Sequence, residues 1–445
     1  MPQVSIDPVT RIEGHLRIDA QVDGGVVRDA WASCTMWRGI ERILIGRDPR
    51  QAWFFAQRFC GVCTTVHAVA SVRAVEDALR LEIPPNAHFI RNLMLIHHAL
   101  RDHVVHFYHL SLLDWVDIMT IPKANPARAA AAAQGLSDWA HNSRQDMKSA
   151  QDKVIGLAHS GQLGLFVNGY WGHPAMHLSP ETNLMAFTHY LQALECQRGA
   201  NEVVALLGSK TPHIQNLTVG GVSNAISLDG PATLNMERLA AIKTLIDAVV
   251  LFVHQVYFPD ACGIAGAYAE WFGLGGGVKN YLAVPDLPRD RHGSSYALPG
   301  GVLLDDDSNV AAFTTAADQP LRDAVAERLA RAWYSGRGPE HPCQGTTHPE
   351  SAGSQETDTH SWVKAPRYEG HPMQVGPLAN VLVGYHGGHA LTRRWTDLAL
   401  DRVSAPASTR PWDARSRGRF GPPCSPNWPW SNGTRWWTTS TAAMP

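Results

Sequence analysis

The sequence predicts a mainly α-helical protein with peripheral β-structure, an α+β fold built around a large helical core. Long segments between residues 64 and 258 repeat apolar side chains at the helical period, whereas strand-like alternation is confined to the first thirty residues and to short runs between 260 and 380. No internal repeat or linker interrupts the first 400 of the 445 residues. We therefore expect residues 1–400 to form one domain with a single large core.

The chain begins with a predicted β-hairpin. Leu16, Ile18, Ala20 and Val22 alternate with polar residues, and the segment 23–25 (Asp-Gly-Gly) turns the chain into a second strand. From about residue 49 the apolar period becomes helical. We predict helices over residues 64–80, 86–118, 127–160, 181–208 and 230–258.

Two residues define the ends of these first helices. The helix over 64–80 stops before Pro84, because proline cannot continue it, and Asn86 is expected to cap the next one. The most apolar stretches, Leu93–Leu113 and Ile242–Phe258, are interrupted by His, Arg, Asp or Lys. We expect neither of them to cross a membrane.

Charge and cysteine content exclude several classes of protein. The 38 Lys and Arg against 40 Asp and Glu give a net charge of −2, so no basic field is available to bind nucleic acid. Seven cysteines are too few, and odd in number, for a secreted scaffold held by disulfides. The first residues lack the basic and apolar regions of a signal peptide. Any membrane association is therefore expected to depend on a partner.

Residues 401–445 differ from the rest of the chain. The helical period disappears, and the segment is rich in Trp, Pro and Arg without any Lys. One interpretation is a basic, Trp-rich binding tail, and the other is the product of a shifted reading frame. We favour the frame shift, and expect this tail not to be a native domain and its Trp side chains to be exposed.

The densest chemistry lies in the segment RFCGVCTTVH, residues 58–67. Cys60 and Cys63 form a C-x-x-C pair, Gly61 permits a tight turn around an ion, and His67 follows Cys63 by one helical turn. Thiolates select nickel, copper, zinc or iron rather than magnesium. Four interpretations of the pair are open: half of a zinc site, half of a nickel site, a redox pair, or two cysteines without a function. The redox interpretation is disfavoured because no βαβ pattern surrounds the pair.

The remaining cysteines do not complete a metal site. None of them belongs to a second C-x-x-C motif, and we expect them to occupy buried or surface positions without a ligand role. They are Cys34, Cys196, Cys262, Cys343 and Cys424.

Taken in order, several motifs resemble the large subunit of the membrane-bound nickel–iron uptake hydrogenases. The likeness runs from about Pro2 to about Leu400. The motifs that carry it are Asp7–Ile18, Met36–Leu79, Ile90–Ile118, Gly208–Val222, Gly275–Leu282 and Trp362–Tyr385. The resemblance implies the large helical core of that family and a reaction in which H2 gives two protons and two electrons.

The resemblance also implies the ligands of the active site. Cys60 would be a terminal nickel ligand, and Cys63 would bridge nickel to an iron that carries cyanide and carbon monoxide. His67 would donate a hydrogen bond to the bridging sulfur and tune it. Glu13, together with the two cysteines, would be catalytic, since it matches the glutamate that relays protons to and from a thiolate.

Two further carboxylates match family positions. Glu41 would help to hold a structural magnesium ion, and Asp102 would lie over the metal site. Without the resemblance, Glu13 is an exposed carboxylate at a turn, and Glu41 is a surface ion pair with Arg38 and Arg42.

The resemblance implies partners as well. Beyond the active-site pair, this chain lacks the cysteines that iron–sulfur clusters need, so a small subunit would carry them in a heterodimer. A b-type cytochrome in the membrane would accept the electrons. The pair of subunits would lie peripherally on the cell membrane, on the periplasmic face, after export of both together.

The sequence departs from the family in one respect. The family's second cysteine motif, D-P-C-x-x-C-x-x-H, its arginine motif and its C-terminal histidine for magnesium are not found. We expect an incomplete or frame-shifted product that is inactive as written. Two alternatives remain: a non-catalytic scaffold related to a complex I subunit, and a structural zinc protein that uses Cys60, Cys63 and two histidines.

Overall fold

A computed structural model describes residues 3–167, 173–273, 277–305, 308–315, 318–335, 339–340, 348–350 and 359–404. The α-helices are α1 (Ile40–Ile43), α2 (Ala52–Ala56), α3 (Thr64–Leu79), α4 (Pro85–Val104), α5 (Pro126–Gln134), α6 (Arg144–Ser160), α7 (Pro180–Gly208), α8 (Met236–Phe252), α9 (Phe258–Ala267), α10 (Gln319–Ala324), α11 (Pro377–His386) and α12 (Ala390–Ser404). Two π-helical segments, Val105–Ser111 and Val253–Tyr257, directly follow α4 and α8.

The strands form small antiparallel sheets around these helices. They are β1 (Gln3–Ile6), β2 (Leu16–Asp23), β3 (Val26–Cys34), β4 (Leu217–Thr218), β5 (Gly221–Val222), β6 (Tyr281–Ala283), β7 (Asp286–Pro288), β8 (Tyr296–Leu298), β9 (Gly300–Leu303), β10 (Ala311–Phe313), β11 (Val325–Arg328), β12 (Pro339–Glu340), β13 (Ala365–Tyr368) and β14 (His371–Pro372). The sheets have the strand orders β1-β2-β3, β10-β9-β6 and β12-β11-β13-β14, with the pairs β4-β5 and β7-β8. The predicted α+β class, mainly helical with peripheral sheets, is confirmed.

Helix α7 lies at the centre of the hydrophobic core. It packs against α4, α5, α6 and α8, and its buried side chains include Leu184, Phe187 and Val203. Because burial of apolar surface contributes roughly 25 cal/mol per Å², this continuous core is the main source of the fold's stability. The same core includes Ala68, Val69 and Val72 of α3 and the apolar face of α4 from Ile90 to Val104, and these two helices carry the residues of the candidate site.

The N-terminal hairpin forms as predicted, with one difference. Gly24 and Gly25, at φ of 56° and 79°, make the two-residue turn between β2 and β3. The buried side chain of β2 is Asp19 rather than an apolar residue. Its carboxylate accepts hydrogen bonds from Arg17 and Ser5, which compensate for its burial.

Three predicted helix boundaries were wrong. Helix α4 starts at Pro85, so Asn86 lies inside the first turn, and beyond Val104 the chain continues as a π-segment and a 3-10 turn, Leu112–Asp114. The predicted helix over 127–160 is two helices, because Ser143 and Asp146 form a capping box that starts α6. The helix predicted from residue 230 starts at Met236, where Asn235 caps it. The helices over 64–80 and 181–208 are confirmed within one residue at each end.

The structure contains one helical stretch that passes a length and composition test for membrane spans. Among the described residues, Met236–Ala267 runs for 32 residues with a mean hydropathy of 1.7 in its most apolar window, and 28% of that window is buried. No membrane span was expected here, because charged residues and His interrupt the apolar run Ile242–Phe258. Since core helices of globular proteins pass the same test, the finding is weak support for a membrane span.

The predicted tail, residues 405–445, lies outside the described residues, as do Cys343 and Cys424. Helix α12 continues to Ser404, past the predicted boundary at residue 400.

Candidate metal centre

The C-x-x-C segment forms a tight loop at the start of α3. A short 3-10 turn ends at Phe59, Cys60 is extended, and Cys63 is the N-cap residue of α3. The sulfur of Cys60 accepts hydrogen bonds from the backbone N–H groups of Val62 and Cys63 at 3.3 and 3.1 Å. Such N–H groups stabilise negative charge on sulfur, so this backbone suits a thiolate at Cys60.

His67 completes a three-residue group. Its Nε2 lies 3.2 Å from the Cys63 sulfur, as the one-turn spacing along α3 predicts. The ring also makes an edge contact with Phe59, at 4.9 Å between centroids. Within the described part of the chain, Cys60, Cys63 and His67 are the only group of three potential metal ligands whose donor atoms lie within 4.8 Å of one another.

Burial controls the charge of this group in the absence of a metal. Desolvation, followed by the neighbouring Cys60, raises the pKa of the Cys63 thiol well above its usual range. The N-terminus of α3, whose dipole favours a thiolate, does not offset this burial. Burial, with a smaller effect of His98, lowers the pKa of His67. The lowered pKa favours the neutral imidazole, whose Nε2 shares a hydrogen bond with the Cys63 sulfur.

Helix α4 supplies a polar group beside the loop. Arg101 donates to Asp102 at 2.6 Å, and its other contact is the carbonyl of Val62, inside the C-x-x-C segment, at 3.5 Å. Nε2 of His98 lies 3.2 Å from the second oxygen of Asp102. The charge of Asp102 also raises the pKa of Cys63, so the structure brings Asp102 into electrostatic reach of the site.

A buried ion pair links α3, which begins at the cysteine loop, to α4. Arg91 binds Glu76 through two hydrogen bonds of 2.9 and 2.7 Å and donates to the carbonyls of Thr218 and Gly221. The β4–β5 hairpin is thereby fixed to α3 and α4. The chain leading into this hairpin reaches the C-x-x-C helix, where the backbone N–H of His213 donates to Thr64 at 3.3 Å.

Glu13 is not part of the three-residue group. It lies in the exposed turn between β1 and β2, and forms no hydrogen bond or ion pair with any residue that the structure describes. The geometry therefore matches the simpler expectation of an exposed carboxylate at a turn.

Glu41 is held by aromatic side chains. One oxygen of its carboxylate accepts hydrogen bonds from Trp37 Nε1 and the Tyr334 hydroxyl, both at 2.8 Å. Burial works to raise the pKa of Glu41, but the hydrogen bonds from Trp37, its own backbone N–H and Tyr334, together with the charge of Lys364, outweigh it and lower the pKa. The expected ion pair with Arg38 and Arg42 is not formed among the described residues, and the second oxygen remains available for a cation.

The described cysteines outside the loop are structural. Cys196 in α7 and Cys262 in α9 are buried, and burial raises the pKa of each thiol to about 12. Cys34 ends β3 and contacts the carbonyl of Met36. The buried positions expected for Cys196 and Cys262 are confirmed, whereas Cys34, also expected to be buried, is only partly so.

Sequence reasoning missed several residues of the site. His98 and Arg101 were given no role at the site, although His98 is buried 3.2 Å from Asp102 and Arg101 contacts the carbonyl of Val62. Gln57 is fully buried directly before the loop, and its side-chain amide has no partner in the described part of the chain. A polar residue in an otherwise apolar segment, three residues before Cys60, was the available signal.

The donor chemistry fits a soft transition metal. Two sulfurs and one imidazole nitrogen converge on one point, and sulfur ligands favour nickel, iron or zinc over magnesium and calcium. The residues present therefore fit two of the thiolate ligands of a nickel–iron pair. A tetrahedral zinc site would need a fourth ligand beyond this group.

Comparison with known families identifies the relatives of this chain. The family described as nickel-dependent hydrogenase matches residues 38–414, and a HoxL-like family matches residues 3–33. Hydrogenase-2 large chain of Escherichia coli K12 is 52% identical over 392 residues, covering 88% of this chain and 69% of that protein. The uptake hydrogenase large subunit of Bradyrhizobium diazoefficiens is 41% identical over 433 residues, covering 91% and 72%.

Solved structures agree with these sequence matches. The structure of the Ni-Fe-Se hydrogenase from Desulfovibrio vulgaris Hildenborough in the reduced state superposes with a TM-score of 0.69 at 28% identity, covering 99% of this chain and 77% of that one. The Ni-Fe-Se hydrogenase from Desulfomicrobium baculatum gives a TM-score of 0.68. The fold, the cysteine loop and these matches together show that the chain belongs to the nickel-dependent hydrogenase family.

Proposed function

We propose that this chain is the catalytic large subunit of an uptake hydrogenase, which oxidises H2 and passes the electrons to an iron–sulfur small subunit. The observation that carries the proposal is the convergence of Cys60, Cys63 and His67 in a chain of the nickel-dependent hydrogenase family. Because the family requires nickel, the match disfavours both the metal-free scaffold and the zinc-only alternative.

Each residue of the loop has a distinct task in this proposal. Cys60, whose sulfur receives two backbone N–H groups, would bind nickel, and Cys63 would bridge nickel and iron. The nickel–iron pair, with cyanide and carbon monoxide on iron, would polarise H2 when bound. His67 donates to the Cys63 sulfur and limits its basicity, so that proton transfer is directed to Cys60.

Glu13 is proposed as the proton relay. Its exposed position gives it access to solvent, and its carboxylate is not engaged by another described residue. Asp102, over the same site, would orient Arg101 and His98 toward the cysteine loop.

Magnesium is proposed at Glu41. An ionised carboxylate with one oxygen fixed by Trp37 and Tyr334 presents the other to a hard cation, which oxygen ligands suit.

The remaining proposals concern partners and location. Electrons would leave through the clusters of the small subunit to a b-type cytochrome, with the heterodimer on the periplasmic face of the cell membrane. The family match supports a small subunit, because these proteins are described as large chains.

H2-dependent dye reduction tests the function in a heterodimer whose large subunit is completed with the family's second cysteine motif, because the chain as written is expected to be inactive. We expect Cys63→Ala to abolish it and Cys34→Ala, the matched thiol deletion outside the loop, to retain it. Glu13→Gln should block H/D exchange while para/ortho-hydrogen conversion continues, since glutamine cannot exchange the proton. Wild-type activity in Cys63→Ala would refute the active-site assignment, and wild-type exchange in Glu13→Gln would rule out the relay.

A further inference from the structure

The turn that carries Glu13 is closed within the N-terminal sheet. The Val9 N–H donates to the Leu16 carbonyl at 2.7 Å, and His15 lies 2.9 Å from the Asp7 carboxylate. These contacts shape the turn, but they all lie within it or at the start of β2. None of these contacts joins the turn to the helical domain.

Arg11 provides that connection. Its Nε donates to the Leu110 carbonyl at 2.8 Å, and its Nη2 lies 2.9 Å from an oxygen of Asp114. A third contact, from Nη1 to the Thr10 hydroxyl at 3.0 Å, braces the guanidinium from within the turn. Among the described residues, the hydrogen bonds and ion pairs that join the turn to the helical domain all come from this side chain.

The backbone of Arg11 is itself unusual. Its φ of 63° is in the left-handed region, which a side chain with a Cβ atom disfavours. A residue stays in that region only when its surroundings fix it. The guanidinium contacts therefore have to be maintained for the turn to keep this shape.

The partners of Arg11 belong to a rigid platform. Leu110 lies in the π-segment Val105–Ser111, whose buried side is fixed by the hydrogen bond from the Tyr108 hydroxyl to Asp260 at 2.7 Å. The π-segment continues α4 without a break, and nine residues earlier Arg101 contacts the carbonyl of Val62. One helical rod thus contacts both the Glu13 turn and the cysteine loop.

We propose that Arg11 is a positioning residue, which clamps the Glu13 turn onto this rod and so fixes Glu13 relative to the cysteine loop. The inference rests on the proposed relay at Glu13, but the clamp itself is a separate property of the chain. The fork of the guanidinium is needed, because the two acceptors, a carbonyl and a carboxylate, are reached by two different nitrogens.

Backbone amide hydrogen exchange of the full chain, followed by mass spectrometry, tests the clamp without requiring metal. In Arg11→Ala the segment 7–16 should exchange about tenfold faster or more, because hydrogen bonds to charged groups are lost. Arg11→Lys should restore this only in part, since one ammonium replaces two nitrogens. The matched control is Arg28→Ala, an arginine of the same sheet whose carboxylate partner, Asp23, is local.

Unchanged exchange of segment 7–16 in Arg11→Ala, relative to Arg28→Ala, would overturn the clamp. Faster exchange throughout the chain would also overturn it, because that result indicates a global rather than a local role.

A second measurement, on the heterodimer with the large subunit completed by the second cysteine motif, separates positioning from simple stability. H/D exchange with H2 should fall in Arg11→Ala while para/ortho conversion is retained, and Arg11→Ala should cause no further loss in the Glu13→Gln background. An additive loss in the double variant would overturn positioning through Glu13. Wild-type exchange in Glu13→Gln alone would instead refute the proposed relay, while amide exchange would still report the clamp.

Discussion

Replacing Arg91 by methionine should destabilise the protein strongly, because its ion pair with Glu76 is buried. The exposed fractions of the two side chains are 1% and 6%. After Arg91→Met, the Glu76 carboxylate keeps only the Gly220 N–H, at 2.8 Å, and the carbonyls of Thr218 and Gly221 lose their donor. Methionine retains the length of the side chain, so the change removes charge and hydrogen bonds more than volume.

The expected loss follows from the uncompensated charge. Removing one partner of a buried ion pair costs about 3–5 kcal/mol, against a total stability of about 5–15 kcal/mol for a typical domain. The matched control is Lys243→Met. Lys243 pairs with Asp247 on α8, but their side chains are 74% and 60% exposed, so the control should lose at most about 0.5 kcal/mol.

Urea unfolding followed by circular dichroism measures both variants. Arg91→Met should shift the transition to much lower urea, whereas the double variant Glu76→Gln/Arg91→Met should recover part of the loss, because the stranded charge is gone. A loss in Arg91→Met no larger than in Lys243→Met would refute the reasoning that this pair fixes the β4–β5 hairpin beside the site.

Two further stability predictions concern buried polar groups. Burial lowers the pKa of His97 to about 4 from an ordinary value of 6.5, and its Nε2 has no described partner, so the folded state holds it neutral. The unfolded state therefore binds the proton first, and the free energy of unfolding falls as the pH drops from 6.5 to 4. Between pH 7 and pH 5 the wild type should lose about 2 kcal/mol in urea titrations, and His97→Gln should remove this loss. An unchanged pH dependence in His97→Gln would contradict the argument. Asp260 accepts hydrogen bonds from two buried groups, His189 Nδ1 at 2.8 Å and the Tyr108 hydroxyl at 2.7 Å. Asp260→Ala leaves both without their acceptor and should lower the free energy of unfolding by about 3 kcal/mol in the same assay. A loss below about 1 kcal/mol would contradict this prediction.

Local signals predicted most of the fold. Helices α3 and α7 have strong apolar periods and clear ends, and their predicted bounds agree with the structure to within a residue at each end. The break between α5 and α6 was missed because the Ala-rich segment was taken as one helix. The capping box that starts α6 depends on the Ser143 and Asp146 side chains. The change from α4 to a π-segment was missed as well, since tertiary contacts such as that of Tyr108 with Asp260 stabilise it.

The site was predictable only in its local part. The spacing of Cys63 and His67 on one helix face led directly to their 3.2 Å contact. Contacts between distant segments were not predictable from spacing, and they include Tyr334 with Glu41, Arg11 with Leu110 and Arg101 with Val62. The raised pKa of Cys63 was not predictable, because burial, which a local sequence pattern does not report, outweighs the effect of the helix N-terminus.

The metal content of the anaerobically purified heterodimer, with the large subunit completed by the family's second cysteine motif, tests the central claim most directly. Elemental analysis of the wild type, Cys60→Ala and Cys63→Ala, with Cys262→Ala as the buried-thiol control, measures whether this loop holds nickel and iron. The account predicts nickel and iron in the wild type and the control, and loss of nickel in both loop variants, because no other described donor converges there. Wild-type nickel in either loop variant, or zinc alone in the wild type, would contradict it.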